Sequence, residues 1–457
     1  MLTRRTTIAL VLVFLASLPA VTKRVYASDE VQYFAWLRSV AFDRNADFEN
    51  EYQYFYDQGV SRTPGYHETF LERRNDAGRR INYATIGSAV LWAPFYAAGH
   101  LAALATGAPA DGYSRPYVAA VAIGSAAYGF GAMVLSALIA RRVVGRGLAA
   151  ALIIAFGTPI VFYSYIAPVF GHATSAFAVA LFLWTWLVVR DRWTLAGALA
   201  LGLTGGVMAM VREQDVLLTI GPGLDFLIVL TRRMREGRVT ATRVVSAALI
   251  GIAGFALAYA PQFFAYRALN GGFAPDDTVT RKLIWTSPHA LSVLFSPDHG
   301  LFAWTPLALL AIAGLVWLAA GRARTAHQDA SRLAWLMLLM FAAQVYTSGS
   351  VDSWTVSGAF GQRRFVALTP ILTIGVAAFL AASLASPLAR RAAIAVVILC
   401  VWWNIGLMMQ FGLNRMDRKR LTLIENARQT YLVLPLEAPG IAWRYFTDRS
   451  SFYRPPG

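Results

Sequence analysis

The chain is dominated by repeated apolar runs, and these restrict its possible folds more than any other feature. Several runs reach about 18 residues or more with almost no charge, which is the length that an α-helix needs to cross a bilayer. Of the 457 residues, 57% are hydrophobic and only 14% are charged, whereas soluble domains carry about 25% charged residues. Because lipid offers backbone groups no water, such runs must form helices or closed barrels. The sequence therefore predicts an all-α polytopic membrane protein.

Eleven runs are predicted to be transmembrane helices. Their approximate limits are 7–25, 116–140, 148–166, 173–189, 193–211, 214–231, 244–266, 303–320, 333–348, 365–385 and 392–411. With these limits, every compact arginine group lies on the same side of the membrane. The groups are Arg141/Arg142/Arg146, Arg190/Arg192, Arg232/Arg233/Arg235/Arg238, Arg322/Arg324 and Arg390/Arg391. Short cytoplasmic loops are rich in arginine and lysine, so these loops and the N-terminus are predicted to be cytoplasmic.

One further apolar run, 84–106, is predicted to lie along the outer interface instead of spanning. It contains Pro94 and His100, and counting it as a span would move arginine groups to the outside, against the positive-inside rule. An amphipathic or re-entrant helix at the interface restores the pattern.

These limits predict a membrane domain over 1–411 with a long first periplasmic loop over 26–115 that carries juxtamembrane helices. Residues 412–457 are predicted to form a short extracytoplasmic tail. The N-terminal run can also be interpreted as a cleavable signal peptide, but its length and the carboxylates at its end favour an uncleaved span.

The net charge of +16 comes almost entirely from arginine, since Lys23, Lys282 and Lys419 are the only lysines. The arginines cluster between apolar runs, so membrane topology and lipid headgroups explain them better than nucleic acid does. The single cysteine, Cys400, excludes an internal disulfide. An arginine-rich, alanine-rich and lysine-poor composition is typical of a high-GC bacterium, which predicts the inner (plasma) membrane.

Asp29 and Glu30 stand directly after the first apolar run, at the predicted outer boundary of the membrane. Ionisable groups at such positions are costly to keep and are candidates for function. A carboxylate at the mouth of a membrane cavity can take a proton from an acceptor hydroxyl or amine. The alternative is an ordinary polar end of a transmembrane helix.

Four more carboxylates follow in the first loop and are candidates for holding a divalent cation. They are Asp43, Asp47, Glu49 and Glu51. Pairing with nearby arginines, or exposure on the polar face of a loop helix, is favoured over this interpretation, so no metal is predicted.

Arg363 and Arg364 are predicted at the outer end of a span, where they depart from the positive-inside pattern. A guanidinium binds phosphate bidentately and can stabilise charge on a leaving phosphate. Arg79, Arg80 and Arg212 are candidates for the same role. The alternative for all of them is snorkelling to lipid headgroups.

Three ring-bearing residues in predicted outer segments are candidates for substrate contact: His172, His299 and Trp354. Aromatic faces suit sugar rings, whereas a structural histidine and an interfacial tryptophan anchor are the simpler alternatives. No Walker loop, Rossmann glycine pattern, HExxH or serine-hydrolase elbow occurs in the chain.

The order of these motifs resembles that of the GT-C superfamily of membrane glycosyltransferases, which includes bacterial protein O-mannosyltransferase-like and aminoarabinose-transferase-like members. The matching segments are Asp29-Glu30, Tyr33-x-x-x-Leu37-Arg38-Ser39, Asp43-x-x-x-Asp47-Phe48-x-Asn50-Glu51-Tyr52, Ile86-Gly87-x-x-x-Leu91-Trp92-x-Pro94-Phe95, Ser296 to Phe302, and Trp354 to Phe365. The chain departs from better-known members at Gly78 to Tyr83, where a Lys-Pro-Pro-like donor-contacting signature is absent. The resemblance does not extend to the tail beyond about Leu413.

The resemblance implies an inverting transfer of a sugar from a polyprenyl-phosphate-linked donor to a lipid, glycan or protein acceptor on the periplasmic face. Asp29 would then be the general base, and Glu30 would tune its pKa or hold a metal. A transporter or flippase of a lipid-linked glycan is the alternative from another class. It predicts ionisable groups at mid-span and internal repeats. The sequence shows neither, and the clearest exception is Asp225, near the cytoplasmic end of a span. The sugar and the acceptor are left open.

Overall fold

In a computed structural model of the protein, residues 3–322, 327–356 and 358–453 are described, without the side chain of Tyr453. In these residues all regular secondary structure is helical and there is no β-strand. One isolated bridge between extended segments joins Arg74 and Arg80. The all-helical class predicted from the apolar runs is therefore confirmed.

Within the described ranges, eight helices are long and apolar enough to cross a membrane. They are Gly87–Thr106, Arg115–Val144, His172–Val189, Glu213–Arg235, Ala241–Asn270, Ala330–Ser350, Arg363–Ala385 and Pro387–Gly412. A helix needs about 20 residues at 1.5 Å each to cross the hydrocarbon core of about 30 Å. These helices support a polytopic membrane protein, while the count of eleven spans stays a prediction.

Four predicted spans are shorter in the structure than in the sequence analysis. The helices in question are Arg4–Ser17, Leu148–Gly157, Leu195–Val211 and Leu307–Ala319. In the run 148–166 the cause is Pro159, because proline removes a backbone donor and disfavours helical geometry in the preceding residue. Thr158 is extended there, and the side-chain amide of Asn404 donates to the freed carbonyls of Phe156 and Thr158 at 2.8 and 3.1 Å.

The run predicted to lie at the interface forms a 20-residue helix, Gly87–Thr106. By length and composition it belongs with the candidate spans. Its placement along the interface stays a prediction.

The chain divides into two compact units. Unit 1 comprises Met1–Ala20, Phe130–Phe162 and Ile284–Gly457, and unit 2 comprises Val21–Gly129 and Tyr163–Leu283. Asp29, Glu30, Arg79, Arg80, His172 and Arg212 belong to unit 2, whereas His299, Trp354, Arg363 and Arg364 belong to unit 1.

Glycines allow two helices of unit 1 to approach each other closely. A Cβ on Gly375 would lie 2.1 Å from the carbonyl oxygen of Ala311, and one on Gly314 would lie 2.0 Å from that of Gly375. The helices Leu307–Ala319 and Thr369–Ala382 therefore pack backbone to backbone. Small residues at helix contacts are typical of proteins in lipid, where close van der Waals packing drives association.

The first loop of unit 2 folds into short helices around an aromatic core. The helical segments are Ser28–Arg38, Ser39–Asp43, Glu49–Asp57, Pro64–Tyr66 and His67–Glu72. Their buried rings include Phe34, Trp36, Phe48, Tyr52, Phe55 and Phe70. Trp92 and Tyr96 of the Gly87–Thr106 helix join this core, so the loop is a packed layer against that helix.

The tail is helical as well, with segments Leu423–Arg428, Gln429–Val433, Leu434–Thr447 and Arg449–Tyr453. It packs on the Pro387–Gly412 helix through buried polar groups. Gln410 donates to the hydroxyl of Thr430 at 2.9 Å and accepts from the amide of Asn426 at 2.8 Å. Tyr445 and Arg449 donate to the carbonyls of Ala20 and Pro19.

Candidate functional site

The two adjacent carboxylates of unit 2 differ sharply in environment. They occupy the first turn of the Ser28–Arg38 helix, which follows an extended Ala27. The carboxylate of Glu30 is fully buried and accepts from the backbone amides of Tyr26 and Ala27 at 2.9 and 3.2 Å. These amides precede the helix and have no carbonyl partner within it. Asp29 is only half-buried, so it is the more accessible of the pair.

Burial raises the pKa of Glu30 to about 8, against the bonds from the amides of Tyr26, Ala27 and Val169. The charge of the adjacent Asp29 acts in the same direction as burial. Near neutral pH Glu30 is therefore largely protonated, which suits a residue that fixes the start of the helix. A neutral, enclosed acid is a poor ligand for a hard cation, which prefers carboxylate oxygens.

One turn after Asp29, Tyr33 packs the Ser28–Arg38 helix, called the loop helix below, against the start of the His172–Val189 helix. Its ring is 6.3 Å from that of Trp92. A Cβ on Gly171 would lie 3.0 Å from the Tyr33 ring and 2.8 Å from the hydroxyl oxygen of Ser88. Gly171 also has φ +69°, a conformation that favours glycine. This position therefore accepts no larger residue without a shift.

His172 and Arg212 come together in unit 2. A guanidinium nitrogen of Arg212 lies 3.1 Å from Nδ1 of His172. Arginine only donates hydrogen bonds, so in this contact Nδ1 accepts and the ring proton sits on Nε2. The ring is buried and packs edge-on against Tyr163 at 4.5 Å. The pair combines a fixed cation with an oriented imidazole.

A second carboxylate next to this pair was not predicted as a site residue. Asp215 is fully buried, and its Oδ2 accepts from the Ser175 hydroxyl at 2.6 Å. Its amide donates to the carbonyl of Arg212 at 2.9 Å. The charged run Arg212-Glu213-Gln214-Asp215 between two apolar segments was the available signal, because intramembrane ionisable residues mark function by default.

Two further arginines of unit 2, Arg74 and Arg80, are tied to one carboxylate. Arg80 is buried and donates to Glu49 at 2.9 Å, and Arg74 donates to the other oxygen of Glu49 at 2.7 Å. These two arginines lower the pKa of Glu49. Arg79 is held through its backbone, whose amide donates to Asn75 at 2.9 Å. Arg80 is therefore a structural cation of the loop, and the half-buried Arg79 is the more accessible candidate.

Two further acidic residues of the first loop, Asp43 and Glu51, are also paired with an arginine. Arg38 donates to Asp43 and, at 3.2 Å, to the buried carboxylate of Glu51. Burial raises the pKa of Glu51 to about 7. Among the residues that the structure describes, no group of three or more His, Cys, Asp or Glu side chains is arranged to hold a metal ion.

In unit 1, Gln362 links two of the predicted ring residues. Its amide nitrogen donates to the carbonyls of His299 and Trp354, each at 3.1 Å. His299 is buried, has Nε2 2.9 Å from the carbonyl oxygen of Ala359 and stacks on Trp304 at 4.4 Å. Its ring is fully engaged in packing, whereas Trp354 is half-buried.

Arg363 and Arg364 open the Arg363–Ala385 helix of unit 1 and are both half-buried. Arg364 donates to the carbonyl and hydroxyl oxygens of Ser353 at 3.1 and 3.4 Å. Burial lowers the pKa of His299, and the nearby charge of Arg363 lowers it further. The preceding residue, Gln362, donates to the carbonyl of His299 at 3.1 Å, so Arg363 lies close to the His299 turn.

Unit 2 also contains an apolar cleft of about 420 Å³ between the loop helix and the Gly87–Thr106 helix. Its lining includes Trp36, Val40, Ala89, Tyr96 and His100. A cleft of this size with a largely hydrocarbon lining suits an apolar chain.

Comparisons with protein-family models and with curated proteins find no match to this chain. The contacts described above therefore carry the functional argument.

Proposed function

We propose that the protein is a GT-C-like membrane glycosyltransferase that uses a polyprenyl-phosphate-linked sugar. The observation that carries this proposal is the contrast between two neighbours, the accessible Asp29 and the buried Glu30 that fixes its helix. A base is efficient when it is held by a rigid support and still reaches its substrate.

In the proposed reaction Asp29 takes the proton of the acceptor hydroxyl or amine. The acceptor atom forms a bond to the anomeric carbon of the donor sugar while the bond from that carbon to the phosphate oxygen breaks. The products are the glycosylated acceptor with inverted configuration and free polyprenyl phosphate. Charge develops on the leaving phosphate, so fixed cations accelerate the step.

Two pairs of residues are candidate partners for that phosphate. In unit 2 Arg212 is oriented by His172 at 3.1 Å. In unit 1 Arg363 and Arg364 begin a candidate span. Arg79, His299 and Trp354 are further candidates for donor or acceptor contact.

A lipid-linked donor agrees with the apolar cleft of about 420 Å³ in unit 2. We place the protein in the bacterial inner membrane, with a cytoplasmic N-terminus and a periplasmic site. The acceptor is a lipid, a glycan or a protein, and nucleic acid is not a partner.

The test uses purified protein in lipid with a panel of polyprenyl-phosphate sugars and candidate acceptors. We expect acceptor-dependent release of polyprenyl phosphate that falls by about a hundredfold or more in Asp29→Asn, as for loss of a general base. The matched control is Asp76→Asn, since Asp76 is an exposed loop aspartate of the same unit. An equal loss of release in both variants, or no loss in Asp29→Asn, would contradict the role of Asp29 as general base.

The rival function, transport of a lipid-linked glycan, requires ionisable groups within the spans, and the candidate for that role is one buried ion pair. Asp225 is fully buried and accepts from two guanidinium nitrogens of Arg190, at 2.8 and 3.1 Å. Trp186 adds a third bond to the same carboxylate at 3.0 Å. This closed geometry suits a link between two helices better than a carrier site that must open. Movement of labelled lipid across the bilayer with no release from any donor would reverse this choice.

A further inference from the structure

A short basic segment follows the Pro387–Gly412 helix in unit 1. Residues 414–421 contain four cations and a single carboxylate, Asp417. The cations are Arg415, Arg418, Lys419 and Arg420, and all four are exposed. Arg415 is held by Glu437 at 2.5 Å, and Arg418 donates to the carbonyl of Phe411 at 3.1 Å and to Asn414 at 2.6 Å.

Backbone bonds fix this segment beside two loops of the same unit. The amide of Gly358 donates to the carbonyl of Arg418 at 3.2 Å, and the amide of Leu421 donates to the carbonyl of Pro297 at 3.1 Å. Leu421 itself is buried. The basic segment is therefore anchored at Arg418 and at Leu421.

The anchored segment lies near Arg363 through a shared neighbour. Gln362, which directly precedes Arg363, donates to the carbonyl of His299 at 3.1 Å. Leu421 of the basic segment donates to the carbonyl of Pro297 in the same turn at 3.1 Å. Arg363 stands at the start of one candidate span and the basic segment stands after the end of the next. Two consecutive antiparallel helices place those ends on the same side of the membrane.

Membrane topology does not account for cations at this end. Arg390 and Arg391 already mark the opposite end of the Pro387–Gly412 helix, which is the end that the positive-inside rule enriches. Ion pairs within the protein also leave positive charge exposed. The guanidinium of Arg420 is 3.6 Å from the carboxylate of Asp298, and 64% of the Arg420 side chain is exposed. Such an exposed pair contributes little to stability. The exposed charges of Lys419 and Arg420, which topology does not explain, indicate an anionic ligand.

We propose that Lys419 and Arg420, with Arg363, form a binding surface for a lipid phosphomonoester in unit 1. A phosphomonoester carries about −1.5 to −2 charges at neutral pH, whereas a phosphodiester headgroup carries one, so a cluster of cations prefers the former. That this monoester is the polyprenyl phosphate of the reaction rests on the proposed function. The tail would then take part in holding the donor or releasing the product.

The experiment measures binding of farnesyl phosphate to the full-length protein in phosphatidylcholine nanodiscs. We expect the double variant Lys419→Ala/Arg420→Ala to weaken the Kd by about tenfold or more, since charge-assisted bonds to phosphate are lost. Arg428→Ala is the matched control, because Arg428 is an exposed tail arginine paired with Glu425. We expect it to bind within about twofold of the wild type. The charge-preserving swap Lys419→Arg/Arg420→Lys should restore most of the affinity, which separates lost charge from lost folding.

Two competitors distinguish the sources of phosphate. Inorganic phosphate should compete weakly, because it lacks the lipid chain, and nanodiscs containing phosphatidylglycerol should not abolish the difference between the wild type and the double variant. Equal Kd values for these two proteins would overturn the proposal. Equal displacement by phosphatidylglycerol would also overturn it, in favour of a general headgroup surface.

The failure of this inference is distinguishable from failure of the proposed function. Asp29→Asn should bind farnesyl phosphate like the wild type and yet release no polyprenyl phosphate from a donor. If the wild type transfers sugar but the double variant binds farnesyl phosphate with the same Kd, only the proposed binding surface is refuted. Tight binding through these residues with no transfer from any donor would refute the transferase alone.

Discussion

At the scale of single residues, position within a turn separates side chains that look equivalent in the sequence. Asp29 and Glu30 are neighbours, but only Glu30 reaches back to the amides of Tyr26 and Ala27. Its longer side chain and its place as third residue of the helix allow this bond. The same principle makes Arg80 structural, because Glu49 lies within 2.9 Å, while Arg79 stays accessible.

The buried Glu30 predicts a pH-dependent stability. Its pKa is about 8 in the folded protein against an ordinary value of 4.5, so stability is highest below about pH 4.5 and falls as pH rises towards 8. Glu30→Gln keeps a carbonyl acceptor and cannot ionise. We expect its unfolding temperature to match the wild type at pH 5 and to exceed it at pH 8.5. Thermal unfolding in nanodiscs across this range measures the difference.

Two controls accompany that prediction. Asp29→Asn should leave the slope of stability against pH nearly unchanged, because Asp29 is half-buried and is a secondary cause of the raised pKa of Glu30. Parallel pH profiles for the wild type and Glu30→Gln would contradict the assignment of an enclosed, neutral Glu30.

The Arg190–Asp225 pair predicts a large cost when one partner is removed. Both side chains are almost fully buried, at 2% and 0% exposure, so Asp225→Ala removes a carboxylate that contacts the guanidinium of Arg190 away from water. Breaking such a pair costs about 3–5 kcal/mol. Trp186→Phe removes only one hydrogen bond and should cost about 0.5–1.5 kcal/mol. Unfolding in a denaturing detergent series checks the order, and a smaller loss in Asp225→Ala than in Trp186→Phe would contradict it.

At the scale of elements, helix ends and helix contacts were harder to predict than helices. Apolar content defines a run, but Pro159 ends the Leu148–Gly157 helix, and Pro306 comes directly before the Leu307–Ala319 helix. The freed carbonyls beside Pro159 are satisfied by Asn404, about 246 positions later in the chain. No local pattern announces such a partner.

The backbone contact in unit 1 predicts a specific response to one methyl group. Gly375→Ala would place Cβ 2.1 Å from the carbonyl oxygen of Ala311, so the two helices must separate, at a cost of about 1–3 kcal/mol. Gly440→Ala is the control, since it lies in the Leu434–Thr447 helix with nothing within 4 Å of the added Cβ. It should be neutral or stabilising by up to about 1 kcal/mol. Comparing the two unfolding midpoints tests the contact.

At the scale of the whole molecule, the number of membrane crossings decides which segments share a side. Eight long apolar helices occur in the described residues, while the positive-inside pattern favours eleven spans with 84–106 at the outer interface. The two views differ over the Gly87–Thr106 helix, because length and composition fit a span and the arginine pattern does not.

Accessibility labelling separates these arrangements. In a Cys400→Ala background, we expect Ala77→Cys and Ala110→Cys to react with an impermeant maleimide from the same, outer side. Both positions are exposed and flank the Gly87–Thr106 helix. Reaction from opposite sides would show that this helix crosses the membrane. The arginine groups that follow it would then lie on the side opposite to the predicted one.

The sequence by itself determined the helical membrane class, because apolar runs of this length leave the backbone no alternative in lipid. It also identified Asp29, the pair Arg79-Arg80 and the pair Arg363-Arg364 as candidates, since charge beside apolar runs is visible without coordinates. The tertiary structure alone decided which candidates are accessible and which are buried or bonded to other residues of the protein. It buried Glu30, tied Arg80 to Glu49, joined His172 to Arg212 and enclosed Asp215. Burial and partnership depend on residues far apart in the chain, and only the folded backbone brings those residues within hydrogen-bond distance.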